Sequence, residues 1–148
     1  MKKLKICVYA ICKNEEKFIK RWVESMSEAD YICVLDTGST DNSYNLLKEN
    51  NVITRQQEIK PWRFDVARNE SMKLIPEDTD ICVCTDLDEL FEKGWRKKIE
   101  DNITENTKLI QYRYTWNFNE DGSEGFVFYA NKIIVWKMVV KKRANALF

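Results

Sequence analysis

Two short apolar runs in this chain each end in acidic side chains, and this pattern constrains the fold most. Residues 31–35 lead into Asp36, and residues 81–85 lead into Asp86 and Asp88. Apolar runs of this length are typical of buried strands. Because residues i and i+2 of a strand share a face, Asp86 and Asp88 are expected to point the same way, with Cα atoms about 6.5–7 Å apart. Such a pair suits a divalent cation that holds a diphosphate, although a solvated strand end or a helix cap would also use these residues.

Strand and helix patterns alternate along the chain. Helix signals mark the segments 15–26, 40–50, 65–74 and 95–102. Strand patterns occupy 4–11, 31–35, 52–54 and 80–85, and then 108–118 and 126–136, which a turn at 119–123 joins. This order predicts an α/β fold with a mainly parallel sheet, helices on both faces and a C-terminal antiparallel hairpin. Ligands of such sheets bind where the carboxyl ends of the strands meet, so both acidic clusters are expected at one site.

Individual residues sharpen the helix predictions. Asn14 is predicted to be the N-cap of the first helix. Phe64, Val66 and Ala67 are predicted to lie on the buried side of the third helix, which Pro76 ends.

Size and composition favour one domain that covers residues 1–148. A chain of 148 residues is expected to bury roughly 70% of the surface of its unfolded form, which is enough for one core. The 24 basic and 24 acidic side chains cancel, so no global field attracts nucleic acid. No apolar stretch approaches the ~20 residues of a transmembrane helix, and the first residues have a strand pattern rather than a secretory signal. A cytoplasmic protein is therefore expected.

The chain contains five cysteines and no histidine. The cysteines fall mostly in strand-like runs, which favours reduced core residues. Cys82 and Cys84 have the spacing of half a metal site, but no second pair accompanies them. Without histidine, acid–base chemistry must be performed by carboxylates, Lys, Tyr or Cys.

The segment 36–39 reads Asp-Thr-Gly-Ser, which is also the loop sequence of aspartic proteases. Those enzymes need two such loops in all-β lobes, or one per subunit of a small all-β dimer, with two aspartates that share a proton. The helix predicted after Ser39 and the alternation of strands and helices argue against a protease. A strand-to-helix turn without chemistry is a further alternative.

Four segments carry a family resemblance. They read AICKNEE at 10–16, VLDTGSTD at 34–41, FDVARNE at 64–70 and TDLDE at 85–89. In this order and spacing they resemble the four successive signatures of glycosyltransferase family 2, most closely its branch with an Asp-Thr-Gly-Ser loop. The resemblance implies a GT-A fold, a nucleotide-sugar donor (most often a UDP-sugar), a Mn²⁺ or Mg²⁺ cofactor and inversion at the anomeric carbon.

The first two signatures supply the nucleoside side of the implied site. By the resemblance, Asn14 and Glu15 lie beside the nucleoside, and Asp36 with Thr37 contacts the base and ribose. Many family members have a second aspartate where this chain has Thr37, so a hydroxyl group would make the contact here. A first-turn acid that only favours the helix dipole is the simpler role for Glu15.

The third and fourth signatures supply the diphosphate side. By the resemblance, Arg68 approaches the diphosphate or orients Asp86, and Asp65 helps to fix that loop. Asp86 matches the acid on the ribose and sugar side, and Asp88 matches the metal ligand, with Asp86 as the second carboxylate. The simpler roles are a helix cap for Asp65 and a surface ion pair for Arg68.

The resemblance ends before the acceptor half. Family members are typically longer, and their catalytic base and acceptor-binding segments follow the metal motif. The tail at 141–148 has no catalytic motif, and Glu120, Asp121 and Glu124 are typical of a solvated turn. We assign no base, and the acceptor, whether glycan, lipid or protein, stays unknown. The hairpin aromatics suit either core packing or stacking on a sugar. The alternative function is a domain that binds nucleotide and metal without turnover.

Overall fold

Strands and helices follow one another in the order that the sequence predicts. The computed structural model describes residues 3–136, so the tail at 141–148 lies outside the described residues. The strands are β1 (Ile6–Cys12), β2 (Tyr31–Asp36), β3 (Ile53–Gln56), β4 (Ile81–Cys84), β5 (Leu109–Thr115) and β6 (Val127–Val135). The helices are α1 (Glu16–Ser25), α2 (Ser43–Glu49), α3 (Phe64–Met72) and α4 (Trp95–Asn102). None of these helices is long and apolar enough to cross a membrane.

The strands form one six-stranded sheet with the order β3-β2-β1-β4-β6-β5. The strands β3, β2, β1 and β4 are parallel, whereas β6 is antiparallel to β4 and β5 is antiparallel to β6. The chain moves outward from β1 to β3 and then returns to place β4 on the other side of β1. The strand order therefore reverses between β1 and β4, where open α/β sheets bind their ligands. The predicted fold class is confirmed.

Alternate side chains of β1 pack against helices on opposite faces of the sheet. Ile6 and Val8 belong to the larger core cluster, together with Trp22 of α1 and residues of α2 and α4. Cys7 belongs to the cluster on the other face, with Ile75 just beyond α3. A strand that is buried on both faces is a near-continuous apolar run, which explains why β1, β2 and β4 do not alternate with polar residues.

The five cysteines are free thiols, and all but the half-buried Cys84 are buried. The Sγ atoms of Cys7 and Cys33 lie 3.5 Å apart on the α3 face of the sheet. Burial raises the pKa of the Cys12 thiol to about 12, and the nearby Asp36 carboxylate adds to the effect. Burial also raises the pKa of the Cys82 thiol. The thiols therefore behave as small core side chains, as the sequence predicts.

Two local predictions were wrong. Asn14 is not the N-cap of α1, because Glu15 holds that position and Asn14 has a φ of 53° and binds the next loop instead. Phe64 is not on the buried side of α3, since its side chain is 57% exposed. The buried residues of α3 are Ala67 and Ser71, whose small side chains suit a helix packed against β1 and β2.

Candidate active site

A cleft of about 360 Å³ opens at the carboxyl ends of the parallel strands, beside the point where the strand order reverses. Parallel strands direct their following loops to one edge of the sheet, so the loops after β1, β2 and β4 meet there. The lining residues are Ile11, Cys12, Lys13, Glu15, Thr37, Trp62, Asp86 and Asp88. The cleft thus brings together four residues predicted from the sequence, namely Glu15, Thr37, Asp86 and Asp88.

Hydrogen bonds join the loops that follow β1 and β2. The side-chain oxygen Oδ1 of Asn14 accepts a hydrogen bond from the N–H of Thr40 at 2.7 Å, and Oγ of Ser39 accepts one from the N–H of Asn14 at 2.8 Å. The N–H of Glu15 donates to Oγ of Ser43 at 2.9 Å. Asparagine tolerates the left-handed backbone conformation that this arrangement requires. Asn14 therefore holds the two loops together and leaves Glu15 to line the cleft.

Asp36 lies beneath the cleft rather than in it. Its side chain is buried, and Oδ1 accepts hydrogen bonds from the N–H groups of Gly38 at 2.9 Å and Ser39 at 2.7 Å. Gly38 has a φ of 110°, a conformation that favours glycine. The adjacent Thr37 does line the cleft, and its hydroxyl donates to a backbone carbonyl at the end of β1 at 3.1 Å. Asp36 thus shapes the loop that presents Thr37.

Asp86 lies between two cationic side chains. Arg68 of α3 pairs with Oδ1 of Asp86 and also donates to the carbonyl oxygen of Thr85 at 3.3 Å. On the other side, Nζ of Lys132 in β6 lies 3.7 Å from Oδ2 of Asp86. The indole N–H of Trp22 donates to the hydroxyl of Thr85 at 3.0 Å and fixes the strand end from the core. The ion pair between Arg68 and Asp86 is the contact that Arg68 would need in order to orient Asp86.

Asp88 is the exposed carboxylate of the pair. Within residues 3–136 it makes no hydrogen bond or ion pair. Glu15 lines the same cleft, and burial together with the charges of Asp88, Asp86 and Asp41 raises the pKa of Glu15 to about 7. Like charges that are gathered in this way disfavour each other's ionised forms, and a cation between them would offset the repulsion.

The number of available ligands decides what kind of metal site the cleft suits. In the part of the chain that the structure describes, no three Asp, Glu or Cys side chains are grouped closely enough to hold a metal by themselves. Mg²⁺ in nucleotide sites uses one or two carboxylates and takes its remaining ligands from water and phosphate oxygens, and Mn²⁺ prefers the same oxygen ligands. An open Asp88 beside the more firmly held Asp86 fits a cation that is shared with a diphosphate.

Other candidate acids lie outside the cleft. Asp65 is exposed in the first turn of α3, where its ion pair with Arg63 at 2.6 Å lowers its pKa. In the hairpin, Arg113 of β5 pairs with both carboxylate oxygens of Glu124 and lowers the pKa of Glu124 to about 2. Asp121 accepts hydrogen bonds within the hairpin turn. A carboxylate that is stabilised as an anion in this way is a weak general base, so Asp121 and Glu124 are not assigned that role.

Sequence reasoning missed three residues around the cleft. Lys13 and Trp62 line it, and the sequence assigned neither of them a role. Lys132 contacts Asp86 and pairs with Glu89, which is only 6% exposed. The one signal for Lys132 is its position as a cation within the predicted strand at 126–136.

The hairpin carries an aromatic surface formed by Trp116, Phe126 and Phe128, which line an apolar depression. Trp116 and Phe126 are 68% and 64% exposed. The ring of Tyr114 lies 4.9 Å from that of Phe128. Burial and the carboxylates near the cleft raise the pKa of Tyr114 to about 12. Lys132 lies 5.6 Å from the centre of the Tyr114 ring and 3.7 Å from Asp86, so this ring lies between the aromatic surface and the lysine beside the cleft. Core packing explains the inner rings of the hairpin but not these outer ones.

Solved structures share this fold. Residues 1–349 of TarS from S. aureus superpose with a TM-score of 0.54 and 19% identity, over 66% of this chain and 32% of that one. The 4-diphosphocytidyl-2C-methyl-D-erythritol synthase of Anaerococcus prevotii DSM 20548 superposes with a TM-score of 0.60 and 12% identity, over 97% of this chain and 75% of that one. At these identities the similarity shows the fold alone. The sheet matches the GT-A architecture.

Sequence comparison identifies the family. The lipopolysaccharide core biosynthesis glycosyltransferase LpsC of Rhizobium meliloti (strain 1021) is 26% identical over 115 residues, which cover 75% of this chain. The matched chain spans only 42% of the length of LpsC. The family model described as Glycosyl transferase family 2 matches residues 7–139, which is most of the sequence. The chain therefore belongs to glycosyl transferase family 2.

Proposed function

We propose that this domain binds a nucleotide-sugar donor, most readily a UDP-sugar, together with Mn²⁺ or Mg²⁺, and transfers the sugar with inversion to an acceptor that is a glycan, a lipid or a protein. The observation that carries the proposal is that one cleft is lined by the open carboxylate of Asp88 together with Asp86, Glu15 and Thr37. Family membership supports glycosyl transfer. The TarS fragment, which has a similar fold, was solved in complex with UDP.

In this proposal the nucleoside lies at the loops after β1 and β2. Thr37 and Glu15 line that end of the cleft, and Asn14 fixes the loop that carries Glu15. Asp36 supports the same loop from below, so its contact with the base remains a prediction that requires the loop to open. The hydroxyl of Thr37 already donates to a backbone carbonyl, which leaves its oxygen as an acceptor for the nucleoside.

The diphosphate then lies toward the loop after β4. A bound divalent cation neutralises the charge that develops on the leaving diphosphate. Asp88 is the proposed principal ligand, with Asp86 as the second carboxylate. Arg68 holds Asp86 in place, and Asp65 is proposed to support α3 only indirectly, through its ion pair with Arg63.

A second function, nucleotide and metal binding without turnover, is favoured by one observation. Glu124, which lies two residues before the exposed Phe126, is held as an anion by Arg113 and is unsuited to accept a proton from an acceptor hydroxyl. Release of UDP from a UDP-sugar, in the presence of Mn²⁺ and candidate acceptors, distinguishes the two functions. A transferase releases UDP in an acceptor-dependent manner, whereas a binding domain releases none.

The Asp88→Asn variant tests the proposed donor site. Asparagine keeps the size of the side chain but removes the charge that holds the cation, so we expect UDP affinity in Mn²⁺ to fall by more than about tenfold in isothermal titration calorimetry. Asp101→Asn is the matched control, because Asp101 is an aspartate of α4 whose ion pair with Lys97 lies outside the cleft. Unchanged UDP affinity in a folded Asp88→Asn protein would exclude Asp88 as the metal ligand.

A further inference from the structure

Lys132 contacts three groups, two in the loop after β4 and one on β5. It lies on β6, where its ammonium group pairs with Oε1 of Glu89 and lies 3.7 Å from Oδ2 of Asp86. It also lies 5.6 Å from the centre of the Tyr114 ring, a distance at which a cation is attracted to an aromatic face. About a third of the Lys132 side chain is exposed. The ammonium group is therefore held beside Asp86, which is one of the residues that line the cleft.

Glu89 anchors this lysine from the interior. Its side chain is almost fully buried, and its backbone N–H donates to the carbonyl of Asp86 at 3.1 Å, which places it directly behind the acidic pair. A buried carboxylate that loses its counter-ion is strongly destabilising, so Glu89 and Lys132 are expected to stay together. Glu89 occupies one side of the ammonium group of Lys132. Another side of the same group faces Asp86.

The cationic side chains beside Asp86 therefore act differently on a metal ion and on a diphosphate. The two oxygens of Asp86 each have a cation nearby, Arg68 on one side and Lys132 on the other. Asp88 has no ion pair among the described residues. A free divalent cation that approaches Asp86 is repelled by both of these side chains, whereas a nucleoside diphosphate is attracted by them.

We propose that Lys132 is a positioning residue that couples the metal to the nucleotide: it holds Asp86 from the side opposite Arg68, opposes binding of the free cation and favours binding of the diphosphate. The metal then binds well only when phosphate oxygens are present to share it. This inference rests on the proposed donor site and adds to it a residue from the hairpin. Coupling of this kind is reciprocal, so each ligand raises the affinity of the other by the same factor.

The test measures Mn²⁺ alone, UDP alone and both together by isothermal titration calorimetry, in the unmodified protein and in Lys132→Met. We expect Lys132→Met to bind Mn²⁺ alone roughly 3- to 10-fold more tightly and UDP without metal roughly 3- to 10-fold more weakly, as removal of one charge near a partly exposed site implies. Lys132→Arg keeps the charge and is expected to restore both affinities. If Lys132 only supported the local structure, Lys132→Met would bind both Mn²⁺ and UDP more weakly.

Two further variants control for folding and for net charge. Lys132→Met with Glu89→Gln removes both partners, leaves no buried carboxylate without a counter-ion, and is expected to change both affinities in the same directions by a smaller factor. Lys98→Met removes a lysine of α4 whose ion pair with Glu92 lies outside the cleft, and is expected to change neither affinity. Circular dichroism confirms that each protein is folded.

The possible outcomes separate this inference from the proposed function. If the unmodified protein binds UDP with Mn²⁺, but neither folded Lys132→Met nor the folded double variant with Glu89→Gln binds free Mn²⁺ more tightly than it does, the coupling role of Lys132 is overturned while the donor site stands. If the unmodified protein binds neither UDP nor Mn²⁺, the proposed function is overturned and this inference with it. Opposite changes for the two ligands in Lys132→Met support both.

Discussion

The parallel half of the sheet and the C-terminal hairpin bury their aromatic side chains very differently. Trp22, which packs against the parallel strands, is 0% exposed, whereas Trp116 at the end of β5 is 68% exposed. In the parallel half, helices cover both faces of the strands; in the hairpin, the side chains of β5 alternate between exposed and half-buried. The comparison indicates that the parallel half supplies most of the buried core, while the hairpin leaves its outer aromatic side chains exposed.

The two halves also differ in how they treat carboxylates. The parallel half gathers Glu15, Asp86 and Asp88 in one cleft. The hairpin neutralises its main acid, Glu124, through Arg113 of β5. Its charged contribution to the cleft is the cation of Lys132. Three experiments test how far this contrast extends.

The largest effect is expected from a pair of tryptophan substitutions. Trp22→Ala removes a fully buried side chain and its hydrogen bond to Thr85, and we expect it to lower the free energy of unfolding by about 3–5 kcal/mol. Trp116→Ala removes an exposed ring, and we expect a change within about 0.5 kcal/mol. Urea denaturation followed by circular dichroism measures both. A comparable loss from Trp116→Ala would contradict the difference in burial between the two rings.

An intermediate effect is expected from two glycines with positive φ. Gly38→Ala places a side chain at a φ of 110°, where its Cβ would meet only Glu58 at ordinary contact distance, so strain alone should cost about 1–3 kcal/mol. Gly122→Ala in the hairpin turn has a φ of 82°, nearer to the left-handed helical region, and should cost about 1 kcal/mol. Thermal unfolding of the two variants compares them. A larger loss at Gly122 would contradict the ranking.

The smallest effect is expected from the pH dependence of two glutamates. The pKa of Glu15 is raised to about 7, so its contribution to stability is complete below its ordinary pKa of 4.5 and is lost as the pH rises through 7. After allowance for partial exposure, Glu15→Gln should therefore be more stable than the unmodified protein at pH 8 by about 1–2 kcal/mol, and the difference should vanish below about pH 4.

Glu124 is expected to show the opposite dependence. Its pKa is lowered to about 2 by Arg113, so it stabilises the hairpin above pH 4.5 and that contribution is lost as the pH falls toward 2. Glu124→Gln should therefore unfold at a lower temperature than the unmodified protein at pH 7, with the difference shrinking in acid. If the stability differences of Glu15→Gln and Glu124→Gln changed with pH in the same direction, the two glutamates would not differ in environment as described.

Much of the architecture could be predicted because strands and helices have local signatures. Apolar runs predicted β2 and β4 within one or two residues, and the four signature segments predicted which loops meet at the cleft. The errors in the helix starts arose where a side chain bonds to a residue far away in the sequence instead of to its sequence neighbours. Asn14 binds Thr40 instead of its own helix, and the helix after β2 begins at Ser43 rather than at Thr40, because the intervening N–H groups bond to the first loop.

The sequence by itself determined the fold class, the order of the elements and the family, because periodicity and motif spacing are properties of neighbouring residues. Only the tertiary structure decided which carboxylates are open. Asp36 and Asp88 both follow apolar strands, yet Asp36 is buried beneath its own loop and Asp88 is exposed in the cleft. It also decided that Lys132 reaches Asp86, since β6 pairs with β4 across the sheet. Burial and ion pairing depend on such long-range contacts, which no local pattern records.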